Sequence, residues 1–389
     1  MQEEIEARKR NDALVDAMRA GGVLPSLEME RAFRTVLRHH FLPGRSLDEV
    51  YADEAIVTRT HPEYQGMAIS SSSQPTAMAL MLRQLQVEPG MKVLEIGAGT
   101  GYNAAVLAEL TGCADQVWSL DVDNSICEEA RQHLAAAGYP GVHVLHADGW
   151  QGYAAEAPYD RIILTASAYD IAPAWFAQLQ EGGRLVLPWV VLGMQQRGLA
   201  FQKEEGRLRL VDHAFYGYMP LRGEYSRPLL ADTEGHTWFS ERLLPADVAR
   251  LSRLQSGERW ERPCALLPEP LEAPGEDNLR FFLAVQEPRM VARMKPTGEN
   301  AIEIRYGLAD TDRETLCFLE RGTPTVLYGW GSQHIADVLE QHIARWFALG
   351  QPGPEHLRMV AYPPGANPSP QSGEYPAHRR WFTYFISWT

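Results

Sequence analysis

The sequence predicts an α/β protein built on a doubly wound, mostly parallel sheet, with helices before the sheet and an α+β region after it. From about residue 91, short apolar strands alternate with helices, a pattern typical of parallel sheets that helices cover on both faces. A glycine-rich turn follows the first of these strands, and the alternation ends near residue 226. The chain has 389 residues, which suits two or three domains at roughly 100–200 residues each.

The first predicted segment, residues 1–85, is mainly helical. Ser26 can cap a helix whose apolar residues recur at helical spacing as far as Leu37. A Pro-Gly pair ends this helix. We expect a loop from there to residues 69–75, and then a second helix near residues 78–85.

The second segment, residues 86–225, carries the strand–helix alternation. Its predicted strands are residues 92–96, 116–121, 142–146, 161–165 and 184–188, and its predicted helices lie near 102–110, 124–137 and 173–180. Residues 199–203 and 208–212 resemble a terminal hairpin that Glu205-Gly206 closes.

The third segment, residues 226–389, is predicted to be a smaller α+β extension. A Pro-, Glu- and Gly-rich loop or linker over residues 263–277 precedes strands near 301–306, 315–319 and 325–328. An amphipathic helix ending near Trp346 and strands near 357–362 and 381–388 follow. We interpret their aromatic residues as core, although the last strand could instead line a peptide groove.

The composition disfavours nucleic acid and membranes as partners of this protein. The chain has 36 Lys and Arg against 50 Asp and Glu, a formal charge of −14, so a nucleic-acid partner is not expected. No stretch approaches the ~20 apolar residues of a membrane helix, and the charged N-terminus lacks an apolar signal region. Four scattered cysteines indicate free thiols. A cytoplasmic protein without a membrane partner is the expectation.

The glycine loop is the strongest local signal. Gly97, Gly99 and Gly101 follow the first strand in the spacing G-x-G-x-G, which lets the backbone turn sharply and approach a ligand. Asp121 lies twenty residues after Gly101, at the end of the next strand. A carboxylate there can accept hydrogen bonds from two ribose hydroxyls.

Two acidic residues indicate which nucleoside cofactor this loop serves. A dinucleotide enzyme favours G-x-G-x-x-G with pyrophosphate on the helix N-terminus. Here Glu95 precedes the loop, which disfavours pyrophosphate but suits the ammonium and sulfonium of S-adenosylmethionine. Asp148-Gly149 after the third strand offers a carboxylate to the adenine amino group. A nicotinamide oxidoreductase and a purely structural turn remain open alternatives.

The ordered set of motifs resembles protein-L-isoaspartate O-methyltransferases over roughly residues 11–213. The matching motifs are RHHFLPG, the Ile-Ser-rich stretch ending in Gln74-Pro75, VLEIGAGTGYNAAVLAEL, HADGWQGYAAEAPYDRIILTA and QLQEGGRLVLP. The resemblance implies a Rossmann-like S-adenosylmethionine methyltransferase sheet. Some members from thermophilic bacteria carry a C-terminal extension, and residues 226–389 look similar in kind.

The resemblance also implies a set of site residues. In the family, the loop before Gln-Pro covers the cofactor and holds the isoaspartyl carboxylate through a serine hydroxyl, here Ser73 or its neighbour Ser72. The cofactor pattern carries over to Glu95, Gly97, Gly99, Gly101, Asp121, Asp148 and Gly149, with Thr165 on the floor of the site. Each could instead be structural: the serines a solvated loop, the aspartates turn residues or caps, Glu95 a cap of the loop amides, and Thr165 a satisfied strand end.

The chemistry that follows needs neither a base nor a metal. A carboxylate is already ionised at neutral pH, so methyl transfer requires only that its oxygen be placed in line with the methyl–sulfur bond. The ester of an isoaspartyl residue in a peptide or protein would cyclise to a succinimide, which is repair. Methylation of an ordinary aspartate would give an aspartimide, which is peptide tailoring. A binding protein that has lost catalysis is a further alternative.

His39, His40 and His61 have no potential partner at a spacing typical of a catalytic or metal site, and they are interpreted as surface or loop residues.

Overall fold

The computed structural model describes residues 1–60, 68–192, 195–224, 230–240, 242–297 and 302–389. His61 lies outside the described residues. The α-helices within them are α1 (Gln2–Ala20), α2 (Leu27–Thr35), α3 (Leu47–Val50), α4 (Pro75–Leu85), α5 (Tyr102–Thr111), α6 (Asn124–Ala136), α7 (Pro173–Gln178), α8 (Pro245–Leu254), α9 (Gly275–Gln286) and α10 (His334–Ala348). A 3-10 helix covers Arg38–Phe41, and another covers Gly149–Gln151.

The strands divide into those before and those after the change in pattern. Those before it are β1 (Ile56–Thr60), β2 (Ala68–Ser72), β3 (Val93–Ile96), β4 (Val117–Asp121), β5 (His143–His146), β6 (Tyr159–Leu164), β7 (Leu179–Leu192), β8 (Gln195–Glu204) and β9 (Arg207–Ala214). Those after it are β10 (Leu230–Ala231), β11 (Thr237–Phe239), β12 (Arg259–Pro263), β13 (Met290–Pro296), β14 (Ile302–Asp310), β15 (Thr315–Glu320), β16 (Val326–Trp330), β17 (Leu357–Tyr362), β18 (Tyr375–His378) and β19 (Thr383–Trp388).

The chain forms two compact units. The first contains residues 1–189, 197–226 and 362–366, and the second contains residues 190–196, 227–361 and 367–389. Residues 1–85, predicted as a separate segment, belong to the same unit as the sheet that follows them.

The first unit is built on a sheet with the strand order β9-β8-β7-β6-β3-β4-β5. Strands β5, β4, β3, β6 and β7 run parallel, and β8 pairs antiparallel with β9. The chain first adds strands on one side of β3 and then continues on the other side with β6. Ligands of open α/β sheets bind at the carboxyl ends of the strands beside such a reversal. The predicted doubly wound fold class is confirmed.

Local chemistry explains the helix ends that border this sheet. The Ser26 hydroxyl accepts a hydrogen bond from the Met29 amide at 3.2 Å, so it caps α2 as predicted. Pro75 begins α4, where its missing N–H costs no hydrogen bond. Asp123 caps α6 by accepting from the Ser125 amide at 3.0 Å.

The loop predicted before residues 69–75 is wrong in part. Residues 68–72 form strand β2, which pairs antiparallel with β1. Ser70 and Ser72 are buried, while Ile69 and Ser71 on the other face are partly exposed. A run of serines carries no apolar alternation, so only pairing with a distant strand defines this element.

The second unit is rich in β-structure. Its seven-stranded sheet has the order β10-β11-β13-β14-β15-β16-β12, and the neighbouring strands β18, β19 and β17 lie outside that sheet. Trp238, Phe318 and Tyr328 are buried in its core. Helix α9 begins inside the stretch predicted as a linker, whose Pro- and Gly-rich part ends at Gly275.

Two expectations about the whole chain concern membranes and cysteines. Among the described residues, none of the helices is long and apolar enough to cross a membrane. All four cysteines are free thiols, as predicted, and Cys113 is the exposed one.

Candidate active site

The glycine loop connects β3 to α5 and has the backbone that its sequence predicts. Gly97, Gly99 and Gly101 have φ values of 108°, 52° and 88°, a region that strains other residues. A Cβ on Gly97 would lie 2.4 Å from the Thr165 hydroxyl oxygen. Glycine at position 97 is therefore required by conformation and by space.

Glu95 lies beneath this loop, not on its rim. The side chain is fully buried, and its two carboxylate oxygens accept hydrogen bonds from Asn103 at 2.6 Å and from Ser119 at 2.5 Å. Burial raises the pKa of Glu95 to about 7, although both hydrogen bonds act in the opposite direction. The cofactor-binding role of Glu95 stays a prediction, and in the structure Asn103 and Ser119 hold its carboxylate beneath the loop.

Replacing Glu95 with glutamine is expected to stabilise the apoprotein and to weaken cofactor binding. Folding raises this pKa from 4.5 to about 7. Ionisation of Glu95 therefore lowers the free energy of unfolding as the pH rises from 4.5 to 7, by about 3 kcal/mol in total above pH 7. Glutamine removes that cost but also removes a negative charge beneath a cationic ligand. Denaturant unfolding should show the variant more stable at pH 8 and nearly equal to wild type at pH 4.5.

Glu88→Gln is the matched control, because Glu88 is an exposed carboxylate. It should change neither the stability difference between the two pH values nor the affinity for S-adenosylhomocysteine. An equal pH dependence of stability in wild type and Glu95→Gln would contradict the assignment.

Asp121 ends β4 beside the loop. Its carboxylate accepts hydrogen bonds from the Gly99 amide at 3.3 Å and the Asp123 amide at 3.1 Å. Burial raises the pKa of Asp121, and these amides with the Arg222 guanidinium, 3.6 Å away, oppose the rise. The carboxylate thus sits at the carboxyl end of the second parallel strand, where a ribose is expected.

Asp148 follows β5 at the same edge of the sheet. One carboxylate oxygen accepts from the Trp150 amide at 2.9 Å and the other from the Glu224 amide at 2.8 Å. The next residue is Gly149, where a Cβ would lie 2.3 Å from an Ile96 methyl carbon. The absence of a side chain at Gly149 therefore allows the third strand end to pack against the first.

Thr165 directly follows β6 and faces the glycine loop from below. Its hydroxyl donates to the carbonyl oxygens of Gly97 at 2.5 Å and Ile96 at 3.2 Å. The hydroxyl therefore supports the loop backbone, and the position of Thr165 on the floor of the site stays a prediction.

The serine segment lies against the loop from the other side. The Ser71 carbonyl oxygen is 3.5 Å from the position that a Cβ on Gly99 would take. Ser72 is buried, and its hydroxyl accepts from the Arg38 Nε at 3.3 Å. Ser73 lies next to the Tyr218 phenol; burial raises the pKa of Tyr218, and a hydrogen bond with Ser73 lowers it. This arrangement favours Ser73 over Ser72 as the substrate-facing hydroxyl.

The sequence did not predict three residues that contact the candidate site, Arg38, Arg222 and Tyr218. Arg38 is completely buried and holds the Ser72 and Ser73 carbonyls at 3.2 and 3.0 Å. Arg222 approaches Asp121, and Tyr218 approaches Ser73. No local signal in the sequence indicated that the segment carrying Tyr218 and Arg222 reaches the cofactor edge of the sheet.

Residues 219–221 are held beside the end of β6. The Ser167 amide donates to the Met219 carbonyl at 2.8 Å, and the Leu221 amide donates to the Ser167 carbonyl at 2.9 Å. This pairing carries Arg222 and the Glu224 amide to the two carboxylates that the sequence assigned to ribose and adenine. The glycine loop, two acidic strand ends and absence of a pyrophosphate-type G-x-G-x-x-G spacing define a Rossmann-like S-adenosylmethionine methyltransferase.

Comparisons with known proteins agree with this class. The family model of protein-L-isoaspartate(D-aspartate) O-methyltransferase matches residues 9–226. A protein-L-isoaspartate O-methyltransferase of Methanopyrus kandleri is 37% identical over 218 residues, 56% of this chain and 93% of the relative. Protein-L-isoaspartate O-methyltransferase 2 of Archaeoglobus fulgidus is 40% identical over 200 residues, 51% of this chain and 87% of the relative.

A solved structure of a protein-L-isoaspartate O-methyltransferase aligns with 90% of this chain and 96% of its own, at 23% identity and a TM-score of 0.54. At this identity the likeness shows a shared fold, and it extends beyond the residues that the family model matches. The chain belongs to the protein-L-isoaspartate(D-aspartate) O-methyltransferase family. It is a methyltransferase of this class, and S-adenosylmethionine is its cofactor.

Proposed function

We propose that the protein transfers a methyl group from S-adenosylmethionine to the side-chain carboxylate of L-isoaspartyl residues in peptides and proteins. The observation that carries the proposal is the serine segment lying against the glycine loop, with Ser73 partly exposed and the buried Ser72 hydroxyl bonded to Arg38. The protein names of the relatives, which specify isoaspartate, support the choice of carboxylate.

In the proposed reaction, one substrate carboxylate oxygen attacks the methyl carbon as the carbon–sulfur bond breaks. The products are the methyl ester and S-adenosylhomocysteine. No proton moves, because the carboxylate is ionised at neutral pH. Ser73 would donate a hydrogen bond to the second carboxylate oxygen and so keep the first in line with the sulfur. Loss of methanol from the ester would then form a succinimide, and its partial hydrolysis to aspartate would be repair.

Asp121 and Asp148 would hold the nucleoside, the first through the ribose hydroxyls and the second through the adenine amino group. Gly97, Gly99 and Gly101 would let the loop backbone approach the amino-acid part of the cofactor. Thr165 and Gly149 would support this arrangement from the strand ends beneath it.

The test compares two peptides that differ only in one linkage, isoaspartyl or aspartyl, with methyl-labelled S-adenosylmethionine as donor. We expect base-labile label and released methanol from the isoaspartyl peptide, and at most background from the aspartyl peptide. Equal activity on both peptides, or none on either with intact cofactor binding, would overturn the isoaspartyl proposal.

A dedicated peptide-tailoring enzyme is the second candidate. It rests on residues 227–389, which lie outside the span that the family model matches and could recognise a particular precursor peptide. This candidate requires inertness toward the isoaspartyl model peptide and formation of an aspartimide on a precursor peptide encoded beside the gene. Activity on unrelated isoaspartyl peptides would argue against it.

Ser73→Ala is expected to lower kcat by roughly 10–100-fold, because one hydrogen bond to a charged acceptor contributes about 1.5–3 kcal/mol. Affinity for S-adenosylhomocysteine, measured by isothermal titration, should stay nearly unchanged. Ser72→Ala serves as the comparison, since its hydroxyl bonds Arg38, and it should reduce thermal stability more than turnover. If Ser72→Ala loses turnover while Ser73→Ala does not, the roles of the two serines are exchanged.

A further inference from the structure

Three potential metal ligands meet where α1 packs near the 3-10 helix Arg38–Phe41. One Glu4 carboxylate oxygen lies 3.3 Å from the His39 Nε2 and 3.5 Å from the His40 Nε2. The three ligand atoms all lie within 4.8 Å of one another. We propose that Glu4, His39 and His40 form a binding site for a divalent transition metal of the zinc type. The site lies outside the residues proposed for methyl transfer.

The distances suit such an ion. Bonds of about 2.0–2.1 Å in tetrahedral geometry separate neighbouring ligand atoms by roughly 3.3 Å. The two oxygen-to-nitrogen distances, 3.3 and 3.5 Å, are close to this value, and the two nitrogens lie within 4.8 Å of each other. Two imidazoles and one carboxylate are ligands that zinc takes together with a water molecule in the fourth position.

The surroundings hold the ligands in place. The His39 Nδ1 is 2.8 Å from the hydroxyl of Tyr51, which is buried. With a metal on Nε2, the Nδ1–H would donate to this oxygen, the type of outer partner that orients ligating histidines. The other Glu4 oxygen bonds the Arg8 guanidinium at 3.3 Å. The carboxylate can therefore keep its partner within α1 while it ligates the ion.

Partial burial separates this cluster from ordinary surface histidines. The side chains of His39, His40 and Glu4 retain 16%, 35% and 38% of their exposure, which leaves an open path for an ion and its water. The three residues carry one net negative charge when both imidazoles are neutral, which favours binding of a divalent cation. Arg8 faces the opposite carboxylate oxygen.

A bound ion would fasten the N-terminal helix to the residue next to Arg38. Arg38 precedes His39 and donates to the Ser72 and Ser73 carbonyls. The metal would thus stabilise the first unit without taking part in methyl transfer. At a zinc concentration 100 times Kd, we expect Tm to rise by about 5 °C or more.

The experiment uses the full, untagged chain after treatment with a chelator. Isothermal titration with zinc chloride should give one saturable site, and cobalt chloride should give visible d–d absorption bands typical of nitrogen and oxygen ligands. His39→Ala, His40→Ala and Glu4→Gln should each weaken zinc binding by at least roughly 10-fold and remove the rise in Tm.

His356→Ala is the matched control, because His356 lies 3.1 Å from Glu355 without a second histidine in that pair. It should bind zinc as wild type does. Each variant is first checked for wild-type affinity for S-adenosylhomocysteine, and Glu4→Gln, a conservative change at a partly exposed position, covers a folding failure of the histidine variants. Absence of a saturable site, or equal affinity in wild type and Glu4→Gln, would overturn the proposal.

Discussion

Replacing Arg38 with methionine is expected to lower the free energy of unfolding by about 3–5 kcal/mol, because several buried acceptors lose their donor and each unsatisfied buried group costs about 1–3 kcal/mol. The guanidinium donates to the carbonyls of Val50, Ala52, Glu54, Ser72 and Ser73 and to the Ser72 hydroxyl. Methionine keeps the apolar volume but leaves these acceptors buried without donors. Burial lowers the pKa of Arg38, which is the electrostatic cost that its hydrogen bonds must offset.

The same substitution should reduce methyl transfer beyond its effect on folding. Arg38 holds both ends of the Ser72–Ser73 peptide segment, so its loss releases the hydroxyl proposed to orient the substrate. Denaturant unfolding and kcat measured below the unfolding transition separate the two effects.

Arg45→Met is the control for the Arg38 prediction. Arg45 is exposed and bonds Glu49 and the Val57 carbonyl, so its loss should alter stability little. An Arg38→Met protein with the stability and kcat of wild type would show that the segment holds its position without the guanidinium.

Asp121→Asn is expected to weaken S-adenosylhomocysteine binding by roughly 10–100-fold, which corresponds to the loss of about 1.5–3 kcal/mol from hydrogen bonds to a charged acceptor. The variant should not be less stable than wild type, because burial already raises the pKa of Asp121 and thereby disfavours the charged form. Isothermal titration gives the affinity, and thermal unfolding without ligand gives the stability.

Asp123→Asn provides a matched control two residues away. It removes the same charge beside Arg222, at 3.9 Å, and asparagine still caps α6. Affinity should therefore stay within a few fold of wild type. Equal losses in the two variants would mean that the net charge near Arg222, and not the ribose contact, governs binding.

Local signals in the sequence were sufficient to predict the glycine turn and the two acidic strand ends at the cofactor edge of the sheet. The glycines at 97, 99 and 101 have positive φ, Asp121 ends an apolar strand, and Asp148 follows the next strand, which pairs with it in parallel. Parallel pairing places successive strand ends at one edge of the sheet, so residues distant in the chain converge without any further information.

Contacts between side chains that are far apart in the sequence could not be predicted in this way. Glu95 lies beneath the loop, where side chains from α5 and β4 bond its two oxygens, and no local pattern indicated these contacts. The serine run was expected to be a loop and forms β2, because β1 supplies its hydrogen-bond partner. Arg38 belongs to the RHHFLPG motif, but no local pattern indicated its hydrogen bonds to the serine segment.

The sequence alone determined the sheet, the glycine turn and the acidic strand ends, because each follows from conformational preference or from an apolar repeat over a few residues. Tertiary structure alone decided which serine turns toward Arg38, where Arg222 and Tyr218 lie, and that Glu4 meets His39 and His40. These contacts join residues that no local periodicity relates. Their positions result from the packing of the core, which fixes separate elements of the first unit against one another.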